Sequence, residues 1–424
     1  MQRAEGLAAQ SMAWSTPNRT LVIRIIVPMP LALLESYWMR ILYFDHATAT
    51  PMAGSVRDAM QTFFSEQFAS PAANHAQGRV AAEAVEDVRG IVAGMLGSSS
   101  TEVVLTAGWM ESCNLGILGA ARATLREKPV ATPHAITTRL EAAPVAGAID
   151  RLEQEGWAVT RLACDRRGIV GADAVQAAVR PSTRLVSVCH ASWETGIIQP
   201  IRQIASVCAN RGIRFHCDAS QSIGKITVQS DALGVDLLSF GGHTLHGPKG
   251  AGVLYVRHGV ALEPLLFSQE GDSPYRPAMD DVASVVGLGQ AIRLASDGMV
   301  RSQQLLESLG NRLVEGLRQQ LGDRFRLVGE QQDRLPHLFA IGLRGVPMQK
   351  LFERFVELQA RPLGSQQAID DAAGISPALE GMGWSPKEAA CCLRIALAWT
   401  STPEEIDRLI NGLAEASDAW SVAD

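Results

Sequence analysis

His216 and Asp218 lie two residues apart in the segment IRFHCDAS, and strand alternation puts both side chains on one face. The segment GGHTLHGPKG carries His243 and His246 on either side of Thr244 and Leu245, with Lys249 just beyond. At one sheet edge, such imidazoles and a carboxylate could move protons or hold a metal ion, and a lysine could form an imine with a carbonyl. Seven cysteines (Cys113, Cys164, Cys189, Cys208, Cys217, Cys391, Cys392) are scattered without CxxC spacing, which predicts reduced thiols in a cytoplasmic protein. The adjacent Cys391 and Cys392 could form a redox or metal pair, but neighbours on a helix or strand point apart.

The elements that must position these residues alternate at the spacing of βαβ units from Met39 onward. Short apolar runs at 103–106, 135–138, 185–189, 214–217, 235–239 and 252–256 predict buried, mostly parallel strands. Ser55 and Asp58 suggest a capping box, with Met60, Phe63 and Phe64 on one helix face. Val80, Val85, Val88, Ile91, Val92 and Met95 make a second stripe that Gly97 terminates. Leu305, Leu306, Leu309, Leu313 and Leu317 mark a long helix after about Asp281. The expected organisation is an extension over 1–38, disordered or translated from an upstream start, a large domain over 39–280 and a smaller one over 281–424. Residues 39–55 are expected to pack on the smaller domain. Ligand sites in open sheets of this kind lie beyond the strand carboxyl ends, where Asp218 falls.

Length and composition agree with two unequal domains, since 424 residues at 47% hydrophobic content can bury a large core. A net charge of -6 without a basic block gives no footprint for nucleic acid or an acidic membrane. The apolar stretch Leu21 to Leu34 is broken by Arg24, Pro28 and Pro30 and is too short to span a bilayer.

DHATATP (45–51), HAQGR (75–79), ETGIIQPI (194–201), HCDASQSIGK (216–225), GVDLLSFGGHTLHGPKGAGVLYVR (234–257) and LRIALAWT (393–400) occur in that order. Together they resemble the cysteine desulfurase branch of the class V aminotransferases, the NifS/IscS-like enzymes. The resemblance implies a fold-type I pyridoxal-phosphate (PLP) transferase: α/β, with a mostly parallel central sheet flanked by helices and a smaller C-terminal α+β domain. It also implies which positions matter. Asp218 matches the aspartate that pairs with the pyridine nitrogen, Gln221 the residue that contacts the ring oxygen, and His243 the histidine before the Schiff-base lysine. Arg394 matches the arginine that grips the substrate carboxylate, a task suited to guanidinium.

Several positions depart from the family pattern. Thr244 stands at the Schiff-base position, where a hydroxyl cannot form an imine, and Lys249 matches a lysine without that role. Gln367 stands at the position of the persulfide-forming cysteine. Ala142 follows Glu141 where a ring-stacking histidine is expected, and Gly241 replaces a phosphate-binding serine. Trp109, Met110, Trp193 and Met279 (the last aligned through Arg276) replace smaller or polar residues around the cofactor cavity and are expected to fill it, unless a tryptophan turns outward to an interface. Loss of three or four polar and stacking contacts removes about 5 to 8 kcal/mol, or about four to five orders of magnitude in affinity.

The expectation is therefore no bound cofactor and no metal. The chain reads as a pseudoenzyme that forms a homodimer, or a heterodimer with an active desulfurase, and that could meet a sulfur-acceptor protein. Two alternatives stand beside it: PLP-independent chemistry in the old pocket through His216, Asp218, His243 and His246, and a PLP enzyme that holds its cofactor noncovalently. The family commonly carries residues like His216 and His246 without a metal.

Overall fold

Short, mostly apolar runs such as Val253 to Tyr255 and Leu185 to Val188 are buried on both faces, which places them in the middle of a covered sheet. The structure, a computed structural model, describes residues 15–16, 19–20, 41–268, 275–276, 280–329, 332–364 and 375–418. Seven strands lie in the order Val103–Thr106, Gly252–Val256, Leu237–Gly241, Arg214–Asp218, Thr183–Cys189, His134–Thr138 and Ala158–Leu162. All neighbouring pairs are parallel except those made by Gly252–Val256, which runs antiparallel to both its neighbours. The α/β class and mostly parallel sheet agree with expectation. The strand at 235–239 falls two residues later, at Leu237–Gly241, and the half-exposed edge strand Ala158–Leu162 carries too little apolar signal to be read from sequence.

The helix Gly54–Ser65 starts at an Ala53 cap without a side-chain bond, so the Ser55–Asp58 capping box does not form. Ser55 already lies inside the first turn. Met60 is buried in this helix, whereas Phe64 faces solvent. Ala76–Leu96 ends at Gly97, whose φ of 66° is the left-handed value that glycine tolerates. Val80 on that helix is exposed rather than part of the buried stripe.

The 40-residue helix Val282–Leu321 joins two cores. Its first half, through Val285, Leu288, Ile292 and Ala295, packs in the large core with Val56, Val85 and Phe240. Its second half, through Leu306, Leu309, Leu313 and Leu317, packs in another with Ile341, Ile395 and Leu409. Leu42 and Phe44 belong to that second core, and Leu42–Tyr43 pairs in parallel with Leu358–Gln359. A four-stranded antiparallel sheet, Phe325–Leu327, Leu338–Leu343, Cys392–Ala396 and Arg361–Pro362, backs it. Met1–Ile41 forms a unit of its own, in which Ser15–Thr16 pairs with Arg19–Thr20. The expectation for 1–38 otherwise lies outside the described residues. No helix among the described residues is long and apolar enough to cross a membrane.

Candidate functional site

Asp218 ends its strand with the side chain buried. Its Oδ1 accepts the Ser220 backbone N–H at 3.0 Å and the Trp109 indole N–H at 3.0 Å, and its Oδ2 accepts the Ser220 hydroxyl at 3.2 Å. Burial pushes the carboxyl up to about 6, against the pull of these donors. Trp109 opens the helix Trp109–Asn114, after Gly108 at φ 137°. That backbone needs glycine, and it lies so near Gly252 that a Cβ there would meet Gly108 carbonyl carbon at 2.4 Å. The indole stacks on His243 at a centroid distance of 5.4 Å and an interplanar angle of 28°. It is thus held by a hydrogen bond at its edge and an imidazole on its face.

Thr244 is buried and donates its hydroxyl to the Ser220 carbonyl at 2.9 Å, while its own carbonyl accepts from Lys225 Nζ at 2.8 Å. Gln221 donates through Nε2 to the Ala47 carbonyl at 3.0 Å, leaving its buried Oε1 unpaired. Lys249 is exposed on the turn that follows.

Arg394, on the strand Cys392–Ala396, is fully buried. It donates to the Trp193 carbonyl at 2.9 Å, to Thr48 Oγ1 at 2.7 Å and to Asp45 Oδ1, leaving Nε without a partner. Burial lowers its pKa, and the Asp45 carboxylate opposes that shift. Two guanidiniums lie over the Trp193 ring, that of Arg361 at 4.7 Å and that of Arg394 at 5.2 Å from its centroid. Glu194 beside it is buried and accepts from Ser376 Oγ at 2.6 Å, and burial raises its pKa.

The expected proton-transfer cluster does not assemble. His216 uses both ring nitrogens inside the sheet, toward Ser187 Oγ at 2.8 Å and Ser239 Oγ at 3.0 Å. His246 donates Nδ1–H to the Pro51 carbonyl and stacks on Trp399, and only His243 reaches Asp218's surroundings, through Trp109. Among the described residues no group of three or more His, Cys, Asp and Glu could hold a metal ion. All seven cysteines are buried and free.

Met110 does not fill the cavity. It is 66% exposed, because consecutive helical residues point about 100° apart and Trp109 takes the inward direction. Met279 and Gln367 lie outside the described residues. Arg276, the guide to Met279, pairs with Glu111 at 2.8 Å and Asp280 at 3.0 Å.

Two groups had gone unremarked as polar centres. Glu141 accepts from Thr138 Oγ1 at 2.6 Å and the Cys189 N–H at 3.0 Å, its Oε2 is unpaired, and burial pushes its pKa up to about 8. Lys225 faces a cleft with His46, His246 and Trp399. The acidic position before Ala142 was the only available signal for the first; the second has lining residues from distant segments.

The sheet, the long connecting helix and the aspartate at a strand carboxyl end define a fold-type I PLP-transferase framework. Residues 42–409 match Aminotransferase class-V, and the chain belongs to that family as a NifS/IscS-like cysteine desulfurase homologue. It is 36% identical to cysteine desulfurase IscS of Dictyoglomus turgidum over 298 residues, 70% of this chain and 74% of the relative. With an Escherichia coli cysteine desulfurase IscS the identity is 32% over 395 residues, 90% and 95% of the two chains. A solved NifS-like protein superposes with a TM-score of 0.81 at 27% identity, covering 89% of this chain and all of the other.

Proposed function

We propose that this chain is a non-catalytic member of the cysteine desulfurase branch, a pseudoenzyme that works through its surface. One observation carries the reading: the Trp109 indole donates to Asp218 and stacks on His243. In the family resemblance, that aspartate serves the pyridine nitrogen of PLP. The residues present do not fit the cofactor, because an aromatic side chain already takes the carboxylate and Thr244 offers a hydroxyl, bound to Ser220, in place of an amine. The substrate-carboxylate arginine is likewise engaged, with Asp45 as its carboxylate. Trp193 adds bulk beside it. Asp218, Gln221, His243 and Arg394 are then remnants that serve packing, and Gln367 leaves the sulfur-carrying loop without a thiol.

The same reading divides the chain at about residue 280, with 39–280 as the large domain and 281–424 as the small one. It assigns the protein to the cytoplasm as a homodimer, or as a partner of an active desulfurase or a sulfur-acceptor protein. Calorimetric titration of the full chain with PLP tests it, and no saturable heat is expected. A yellow protein whose cofactor is trapped by borohydride on one of its lysines sinks the proposal.

A further inference from the structure

Lys225 donates one N–H to the Thr244 carbonyl at 2.8 Å and makes no ion pair among the described residues. An ammonium carries three donors, so two are left for another acceptor. It lines a small cleft whose other walls include His46, Thr50, His246, Ser302 and Trp399 and contain no Asp or Glu. The cleft as a whole encloses about 20 Å³ of accessible space, enough for a group about the size of a water molecule. His46 is 92% buried, with its Nδ1 unpaired in the protein. The His246 ring is fixed between Trp399, at 4.7 Å, and its Nδ1–H bond to the Pro51 carbonyl. The backbone of His246 holds φ at 58°, the only positive value at a non-glycine among the described residues, and hydrogen bonds from its N–H to Thr50 Oγ1 and from the Ala53 N–H to its carbonyl retain it there. The cleft is therefore a built pocket with an uncompensated cation in its wall. Lys225 is half-buried, and a small anion at this position would take its two remaining donors and supply the missing counter-charge.

We propose that this cleft binds the carboxylate of a small organic acid, with Lys225 as its counter-ion, His46 as a second donor and Trp399 as an aromatic wall. The site is separate from Arg394, whose guanidinium is already engaged by Asp45, and it does not depend on whether the chain binds PLP. The cleft is small, which favours a compact anionic head such as a carboxylate over a larger anion. Binding involves no covalent step.

The test is calorimetric titration of the full chain in chloride-free buffer with acetate and benzoate, against acetamide and benzamide as uncharged isosteres. The acids are expected to bind saturably at one site and the amides not at all. Lys225→Met is expected to weaken acid binding about tenfold or more, the scale of one charge-assisted hydrogen bond. Ser302→Asp, on the long helix, places a carboxylate in the same cleft and is expected to abolish acid binding in a folded protein, which guards against a Lys225 variant that does not fold. Equal binding of acids and amides, no binding of either, or acid binding unchanged in folded Lys225→Met or Ser302→Asp overturns the proposal.

Discussion

The indole N–H of Trp109 lies 3.0 Å from Asp218 Oδ1 across 109 positions of sequence, making the first residue of one helix the hydrogen-bond partner of a strand-end carboxylate. Oδ1 also accepts the Ser220 backbone N–H, so the indole is its second donor, and losing it would forgo one hydrogen bond to a charged group, worth about 1.5 to 3 kcal/mol.

Restoring an amine alone is therefore expected to fail. Thr244→Lys should remain colourless on incubation with PLP, because the indole still holds Asp218. Trp109→Thr combined with Thr244→Lys should form an imine and bind PLP about tenfold or more tightly than the single variant. Absorbance and borohydride trapping with peptide mapping read the result; equal binding by single and double variants would show that Trp109 blocks nothing.

Arg394 gives a stability prediction. Its guanidinium is wholly buried and Asp45 is its only carboxylate partner among the described residues. Asp45→Ala leaves a buried charge unpaired and is expected to cost about 3 to 5 kcal/mol, whereas Asp45→Asn keeps an acceptor and costs less. Urea unfolding of the two variants against the parent measures the order, and an Asp45→Ala protein as stable as the parent contradicts it.

The strands on either side of Asp218's own were legible because each is a short, mostly apolar run, as in Thr183–Cys189 and Leu237–Gly241. Strand direction was not, since Gly252–Val256 has the composition of its parallel neighbours and differs only in how the chain returns to the sheet. Helical spacing suggested that Phe64 and Val80 were buried, but each lies at the edge of its stripe, where a small rotation decides exposure. For the site, residue identities at Thr244, Trp109 and Arg394 could be read, but partners could not. The bonds from Trp109 to Asp218 and from Arg394 to Asp45 join segments more than a hundred residues apart. Met110 shows the limit most plainly: two bulky neighbours were expected to share a cavity, and helix geometry sends one of them to solvent.

Glu141 should make the protein less stable as pH rises. Burial, the leading cause, raises its folded pKa from the ordinary 4.5 to about 8. Between these values the unfolded chain releases a proton that the folded protein keeps. The contribution is fully present below about 4.5 and is lost through about 8, at about 1.4 kcal/mol per pH unit. Glu141→Gln, which keeps an acceptor for Thr138 and Cys189, is expected to make the pH slope of stability more positive by about 1.4 kcal/mol per pH unit over the window of that titration, about pH 5 to 8. Chemical denaturation at several pH values measures the slope, and an unchanged slope refutes the assignment.

Histidines set the opposite limb. His46, His134, His190, His216, His243, His246 and His337 all have pKa values depressed chiefly by burial, to about 3 for His216 and His246 and to about 4 for His46, His134, His190 and His243. Their ordinary value is 6.5, so below it the unfolded chain takes up protons that the folded protein refuses, and stability falls toward acid. Each contributes about 1.4 kcal/mol per pH unit where it is fully engaged. At pH 6.5 the seven unfolded imidazoles are each half protonated and still outweigh the single proton of Glu141, and the two slopes cancel about one unit higher. Stability is therefore expected to peak at about pH 7.4 and to drop more steeply on the acid side. His216→Gln should reduce the acid slope by about one proton while its amide can still bond to Ser187. Urea midpoints measured from pH 5 to 8 test both statements, and an acid limb no steeper than the alkaline one contradicts the histidine argument.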